Sequence, residues 1–202
     1  MYLKELVIST STNRVIREVS FKKGLNLVVG YNNDTGSSNN LGKTTLMRCI
    51  NFCLGGKVSE FYTEEESGAI DVTVKDFLTK NEVKFNLSFV EDFDKTSERD
   101  FELYRQITYN PINKNPIKIV NFVQNEKMKS FEKFCLQLKI RLFNSDVTKP
   151  TFRQVIPKFV RRSDKQISNI LKFLHQATSQ QDYELVHFFL FGFNLPDLLS
   201  TK

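Results

Sequence analysis

The sequence predicts a mixed α/β fold of the α+β kind, with most strands placed ahead of most helices. Three observations predict it. Apolar and polar residues alternate through three short stretches near the N-terminus, and alternation resumes between residues 69 and 120. From Glu126 onward the apolar spacing lengthens to the three or four residues of a helix.

The first three strands are predicted over Tyr2–Ile8, Val15–Phe21 and Leu25–Val29, the last bounded by Gly24 and Gly30. Residues 31–42 hold almost only turn-forming types, and helical periodicity begins at Lys43 and runs to Leu54 before stopping at Gly55-Gly56. After an acidic turn near Glu64–Gly68, strand-like segments at Ala69–Phe77, Glu82–Val90, Phe101–Tyr109 and Ile117–Val120 suggest an antiparallel meander. Met128, Phe131, Cys135, Leu138 and Leu142 then share one helical face, with further helices expected near 151–162, 166–177 and 182–191. Pro157 should kink or divide the first of these. The expected organisation is one lobe: a strand–loop–helix core over 1–58, a meander over 59–122 and a helical part over 123–202.

Composition narrows the class. With 202 residues, 40% of them hydrophobic, the chain can bury a core of its own. Its longest apolar stretch, Leu185–Leu195, is too short to cross a bilayer, and Met1–Ile8 lacks a signal-peptide layout, so a cytoplasmic protein is expected. Three cysteines suit reduced core thiols, and with two histidines there is no zinc-site spacing. The net charge of +6 is uneven: residues 60–102 carry 5 basic and 13 acidic side chains, residues 103–202 carry 16 and 7. That basic half could attract a polyanion such as DNA, although most charge runs are solvated faces.

The chemistry lies in the loop before the first helix. Gly42-Lys43-Thr44, set between an apolar strand and a helix, matches the end of the phosphate-binding pattern G-x-x-x-x-G-K-[ST]. Unpaired backbone N–H groups and the positive end of the helix dipole favour an anion there. Lys43 is expected to reach the β- and γ-phosphates of ATP, Thr44 to offer its hydroxyl to Mg²⁺, and Thr45 to meet the α-phosphate. The first glycine of the pattern is displaced. Gly30 is read as the glycine following the strand, with an insertion before Asn39-Asn40-Leu41-Gly42 and with Asn40 tolerating a left-handed backbone.

A working ATPase of this kind also needs an acidic residue after an apolar strand. Glu91-Asp92, after Leu87-Ser-Phe-Val, is the nearest candidate and sits within the expected meander, a poor place for that role. There is also no Leu-Ser-Gly-Gly-type segment, and Leu54-Gly55-Gly56 is the end of a helix. The nucleotide-binding half is present and the half that completes hydrolysis is absent.

Phe21-Lys-Lys-Gly-Leu-Asn-Leu-Val-Val-Gly30, followed by the loop and Asn40-Leu-Gly-Lys-Thr-Thr-Leu-Met-Arg-Cys-Ile-Asn-Phe-Cys-Leu-Gly-Gly56, resembles the N-terminal lobe of SMC- and RecN-type ABC ATPase heads. The likeness is closer to the SMC-like ATPases of bacterial three-component defence systems, where an Asn/Ser/Asp-rich loop recurs. Phe152–Arg161 and Asp182–Leu195 are similar to segments of that group. The resemblance implies a P-loop NTPase head lobe binding ATP and Mg²⁺, a C-terminal lobe supplying the missing motifs, a second head as homodimer partner, DNA as a partner of the intact protein, and a coiled coil where this chain ends. It also implies a glutamine that senses Mg²⁺ and γ-phosphate, with Gln154 the first candidate and Gln124 the second.

Arg161 and Arg162 are candidates to face DNA or the partner lobe, or simply to complement a helix dipole. Phe173, Phe188, Phe189, Phe191 and Phe193 suggest an apolar surface that another lobe would cover. The competing readings are a non-catalytic DNA- or protein-binding module with a vestigial P-loop, and a self-contained P-loop kinase, which the absent lid arginines and second acidic strand disfavour.

Overall fold

A computed structural model describes residues 1–29, 42–64, 67–94, 100–161, 174 and 178–193. The chain divides into two compact units, Met1–Phe134 and Cys135–Lys202. The expected helix over 166–177 falls almost wholly outside the described residues, as do Arg162 and Phe173.

The first unit is built on a six-stranded antiparallel sheet. Its strands are β1 (Tyr2–Ser9), β2 (Val15–Ser20), β3 (Lys84–Val90), β4 (Phe101–Tyr109), β5 (Ile117–Val123) and β6 (Glu126–Lys127), in the order β2-β1-β3-β4-β5-β6. Alternation sets the register because one face must be buried. Leu6 lies opposite Leu87, Leu87 opposite Leu103, and Leu103 opposite Val123, so four strands contribute one apolar row. The three leucines are fully buried. The next row reads Ile8, Phe85, Arg105, Asn121, which puts two polar side chains into the same core.

Helix α1 (Lys43–Cys53) packs on this face, followed by a 3-10 turn over Val58–Phe61. The Phe52 ring meets Phe85 edge-on at 5.0 Å, and Phe61 stacks on Phe85 at 5.2 Å. Tyr104 and Phe122, cross-strand neighbours on the opposite side of the sheet, stack at 4.2 Å, with Lys84 Nζ 3.9 Å above the Tyr104 ring.

Two predicted strands are not strands. Ala69–Phe77 alternates Ile70, Val72 and Val74, yet Val72–Lys80 forms helix α2, because the Asp71 carboxylate accepts a hydrogen bond from Val74 N at 3.0 Å and caps it. Leu25–Val29 joins no ladder among the described residues, and Leu25, Leu27 and Val29 are 85, 77 and 78% exposed. A strand needs a neighbour for its backbone groups, and none of the described strands lies beside this one.

Helix α3 (Phe131–Phe143) begins in the first unit and ends in the second. The second unit adds α4 (Phe152–Val155), a 3-10 turn at Ile156–Lys158 where Pro157 ends the regular helix, and α5 (Gln180–Leu190). Phe143 gathers Phe152, Phe159 and Phe189 at ring-centroid distances of 5.5–6.2 Å. The buried Lys139 ammonium donates to Val147 O at 2.7 Å and Pro150 O at 2.6 Å and lies over the Phe189 ring. Of the phenylalanines expected to form an apolar surface, Phe188, Phe191 and Phe193 are 36, 76 and 57% exposed, Phe189 packs against Phe143, and Phe173 lies outside the described residues. No helix among the described residues is long and apolar enough to cross a membrane.

Candidate nucleotide site

Helix α1 starts where the sequence places it. Gly42 is its N-cap, left-handed at φ 81° and ψ 7°, a conformation that costs L-residues strain and glycine nothing. Its carbonyl accepts the first helical bond, from Leu46 N at 2.9 Å. The amides of Lys43, Thr44 and Thr45 precede the first residue that can bond backwards within the helix, so their N–H groups face outward. The Thr44 and Thr45 side chains are exposed, and the first turn holds no acidic residue. This arrangement fits an anionic ligand: amides and hydroxyls converge at the positive end of the dipole, with no carboxylate in the turn to oppose a phosphate. Thr44 is the residue that would offer a hydroxyl to Mg²⁺.

The remainder of the helix faces inward. Cys49, Ile50, Phe52 and Cys53 are buried. Both cysteines are free, and burial pushes the Cys49 thiol up to about 12 and the Cys53 thiol further still, so neither is a thiolate at neutral pH.

The carbonyl end of α1 is held by a residue that the sequence reading passed over. Arg105, in mid-β4 and 4% exposed, donates from Nη1 to Phe52 O and to Gly56 O at 2.8 Å, and from Nε to Asn121 Oδ1 at 2.7 Å. Its guanidinium lies 4.3 Å from the Phe52 ring centroid. A signal was available: the alternation Phe101, Leu103, Arg105, Ile107 turns this arginine inward. Gly55 is left-handed at φ 91°, and Gly56 has no room for a side chain, since a Cβ would lie 2.8 Å from Asn51 O. The glycine pair therefore turns the chain tightly enough to aim the Gly56 carbonyl at Arg105.

Gly30, Asn39, Asn40 and Leu41 lie outside the described residues. Gln154, in the second unit, completes a capping box: its Oε1 accepts from Thr151 N at 2.8 Å, and its Nε2 donates to Asp182 Oδ1 at 3.1 Å. Gln124 sits left-handed in the turn between β5 and β6, with Nε2 3.4 Å from Asp100 O. Glu91 and Asp92 shape the turn after β3, where Asp92 Oδ1 accepts from Asp94 N at 3.0 Å. No group of three or more His, Cys, Asp or Glu side chains among the described residues is arranged to hold a metal.

Comparison with known proteins gives the family. A family model described as an AAA domain matches residues 14–191, which include the whole of α1 and the sheet beyond β1. The chain belongs to the AAA domain family. It is an AAA-type P-loop NTPase domain, mixed α/β, with an antiparallel sheet and C-terminal helices. It is also 35% identical over 68 residues to the uncharacterized protein YydD of Bacillus subtilis (strain 168), a stretch covering 33% of this chain and 11% of that protein. The chain thus matches only a small part of a much longer relative.

Proposed function

We propose that this AAA domain is the nucleotide-binding lobe of a split, SMC-like ABC-type ATPase head. It binds ATP and Mg²⁺ through Gly42, Lys43, Thr44 and Thr45, aided by the loop residues Gly30, Asn39, Asn40 and Leu41, and it works when a C-terminal lobe supplies the acidic strand and signature segment. Gln154 is the proposed Mg²⁺- and γ-phosphate-sensing glutamine. To take that role it exchanges its bonds to Thr151 and Asp182. Two such heads close on nucleotide and reopen on hydrolysis, driving DNA handling in repair, chromosome organisation or defence, in the cytoplasm.

Two features support the reading. Gly42 opens α1 with no acidic residue in its first turn, and upstream in the chain the apolar Leu25, Leu27 and Val29 are 85, 77 and 78% exposed. In this reading a second lobe adds strands beside Leu25–Val29, buries it and supplies the acidic strand and signature segment.

Calorimetric titration with Mg²⁺-ATP, beside Lys43→Ala and with phosphate release followed in the same samples, tests the reading. Binding by the wild type that vanishes in the variant, with little turnover, is expected. Binding indifferent to Lys43→Ala would replace it with a binding module whose P-loop is vestigial.

A further inference from the structure

Thr44 and Thr45 in the first turn of α1 are exposed while its last turn is clamped, and the clamp is cationic. Helix α1 has no basic residue of its own in its last turn. The positive charge at its carbonyl end comes from Arg105 on β4, which reaches Phe52 O and Gly56 O together. The Phe52 ring below and the Phe131 and Phe134 rings, 5.7 and 5.5 Å from the guanidinium carbon, restrict that group to one position. Asn121 on β5 holds Nε in line. Through these contacts the helix is tied to two neighbouring central strands at its negative end.

We propose that Arg105 is a positioning residue for the phosphate site: it fixes α1 against β4 and β5 and neutralises the helix's carbonyl end, so that the amide end at Gly42–Thr45 holds polyphosphate more tightly. This rests on the nucleotide-binding reading above. The distance is favourable. Ten residues at 1.5 Å rise separate Gly42 from Phe52 by roughly 15 Å. Over that span a buried unit charge, in a medium of effective dielectric near 20 and with partial screening, alters affinity for a multiply charged anion on the order of five- to tenfold. An arginine acting only as packing would alter stability and leave affinity alone.

Three substitutions separate the two roles. Arg105→Gln removes the charge and most of the fork. Arg105→Lys keeps the charge but loses the fork, so its stability should fall comparably. Asn121→Asp keeps Arg105 in place and sets a carboxylate against its Nε, cancelling the charge without cutting the contact; it serves if Arg105→Gln does not fold. Mg²⁺-ATP titrations, run well below each variant's Tm, should give dissociation constants raised about five- to tenfold for Arg105→Gln and Asn121→Asp, and within about twofold of wild type for Arg105→Lys. Wild-type affinity in both charge-cancelled variants, or an Arg105→Lys loss as large as that of Arg105→Gln, overturns the proposal.

Amide hydrogen exchange on the nucleotide-free proteins keeps the two failures apart. If the wild type binds no nucleotide, the P-loop reading fails there. The clamp is still tested, because Arg105→Gln should lose protection across Leu46–Cys53 while β1 and β3 keep theirs. Loss spread evenly over the sheet overturns the clamp as well.

Discussion

Gly56→Ala is the substitution whose cost can be worked most directly from the structure. A Cβ at Gly56 would lie 2.5 Å from Asn51 Nδ2, 2.8 Å from Asn51 O and 3.0 Å from Asn51 C. The side-chain nitrogen could retreat only by weakening its 2.8 Å bond to Glu60 Oε2. The backbone oxygen cannot retreat at all, since it belongs to the last turns of α1 and accepts the 2.8 Å bond from Gly56 N. Relief must come from moving Gly56 itself, which breaks that bond and draws Gly56 O away from Arg105 Nη1. A neutral hydrogen bond contributes about 1 kcal/mol and a bond from a charged donor about 1.5–3 kcal/mol. The expected destabilisation is therefore about 3 kcal/mol, a large share of the roughly 5–15 kcal/mol that holds a domain folded.

Urea unfolding checks it, with the midpoint falling and the slope unchanged. Gly68→Ala is the control: its φ is 70° but no atom lies within 4 Å of an added Cβ, so only backbone strain of about 1–2 kcal/mol applies. If Gly56→Ala loses no more than Gly68→Ala, the close approach to Asn51 and the Arg105 bond do not carry the energy assigned to them.

Leu87→Ala, at the centre of the apolar row and fully buried, should cost about 2–5 kcal/mol in the same unfolding assay. Gln154→Ala removes one arm of the capping box and the bridge to Asp182, and should lower stability by about 1 kcal/mol; melting curves of the two proteins measure it. Burial pushes the Lys139 ammonium down to about 8 from its ordinary 10.5. Between those values the unfolded chain binds more protons than the folded one, so this group's contribution is fully present above pH 10.5 and is lost as pH falls through 8. The difference in unfolding free energy between wild type and Lys139→Met should therefore grow from pH 8 towards pH 10.5, and a flat difference would refute the assignment.

What the sequence made legible depended on whether the deciding partner was nearby in the chain. β3 and β4 could be read because Phe85, Leu87, Phe89 and Phe101, Leu103, Ile107 alternate along the strands and are all buried, with β3 buried on both faces towards its end. Helix α1 could be read because its start and stop are both local: Gly42 ahead of a run of apolar positions, Gly55-Gly56 behind it. Residues 69–77 misled because Ile70, Val72 and Val74 imitate a strand, while the competing cue, Asp71 three residues before Val74, is a single hydrogen bond. Arg105 was missed for a different reason. Its inward direction follows from period two, but the carbonyls it meets are 53 and 49 residues away in sequence, and no local pattern foretells that meeting.

Leu25–Val29 is the other expected strand that the structure does not form. Its alternation and its apolar residues are those of a buried strand, yet three of its side chains are more than three-quarters exposed and no described strand pairs with it. Leaving that much aliphatic surface in water forfeits burial free energy at about 25 cal/mol per Å². The stretch precedes α1 and its N-cap Gly42 in the chain, with residues 30–41 between them. A polypeptide that binds there by adding a strand would cover that surface and pair its backbone groups. The free domain, by contrast, should bind an apolar-surface dye, and Leu27→Lys should reduce that binding without lowering its melting temperature, because Leu27 is 77% exposed and contributes little to this core.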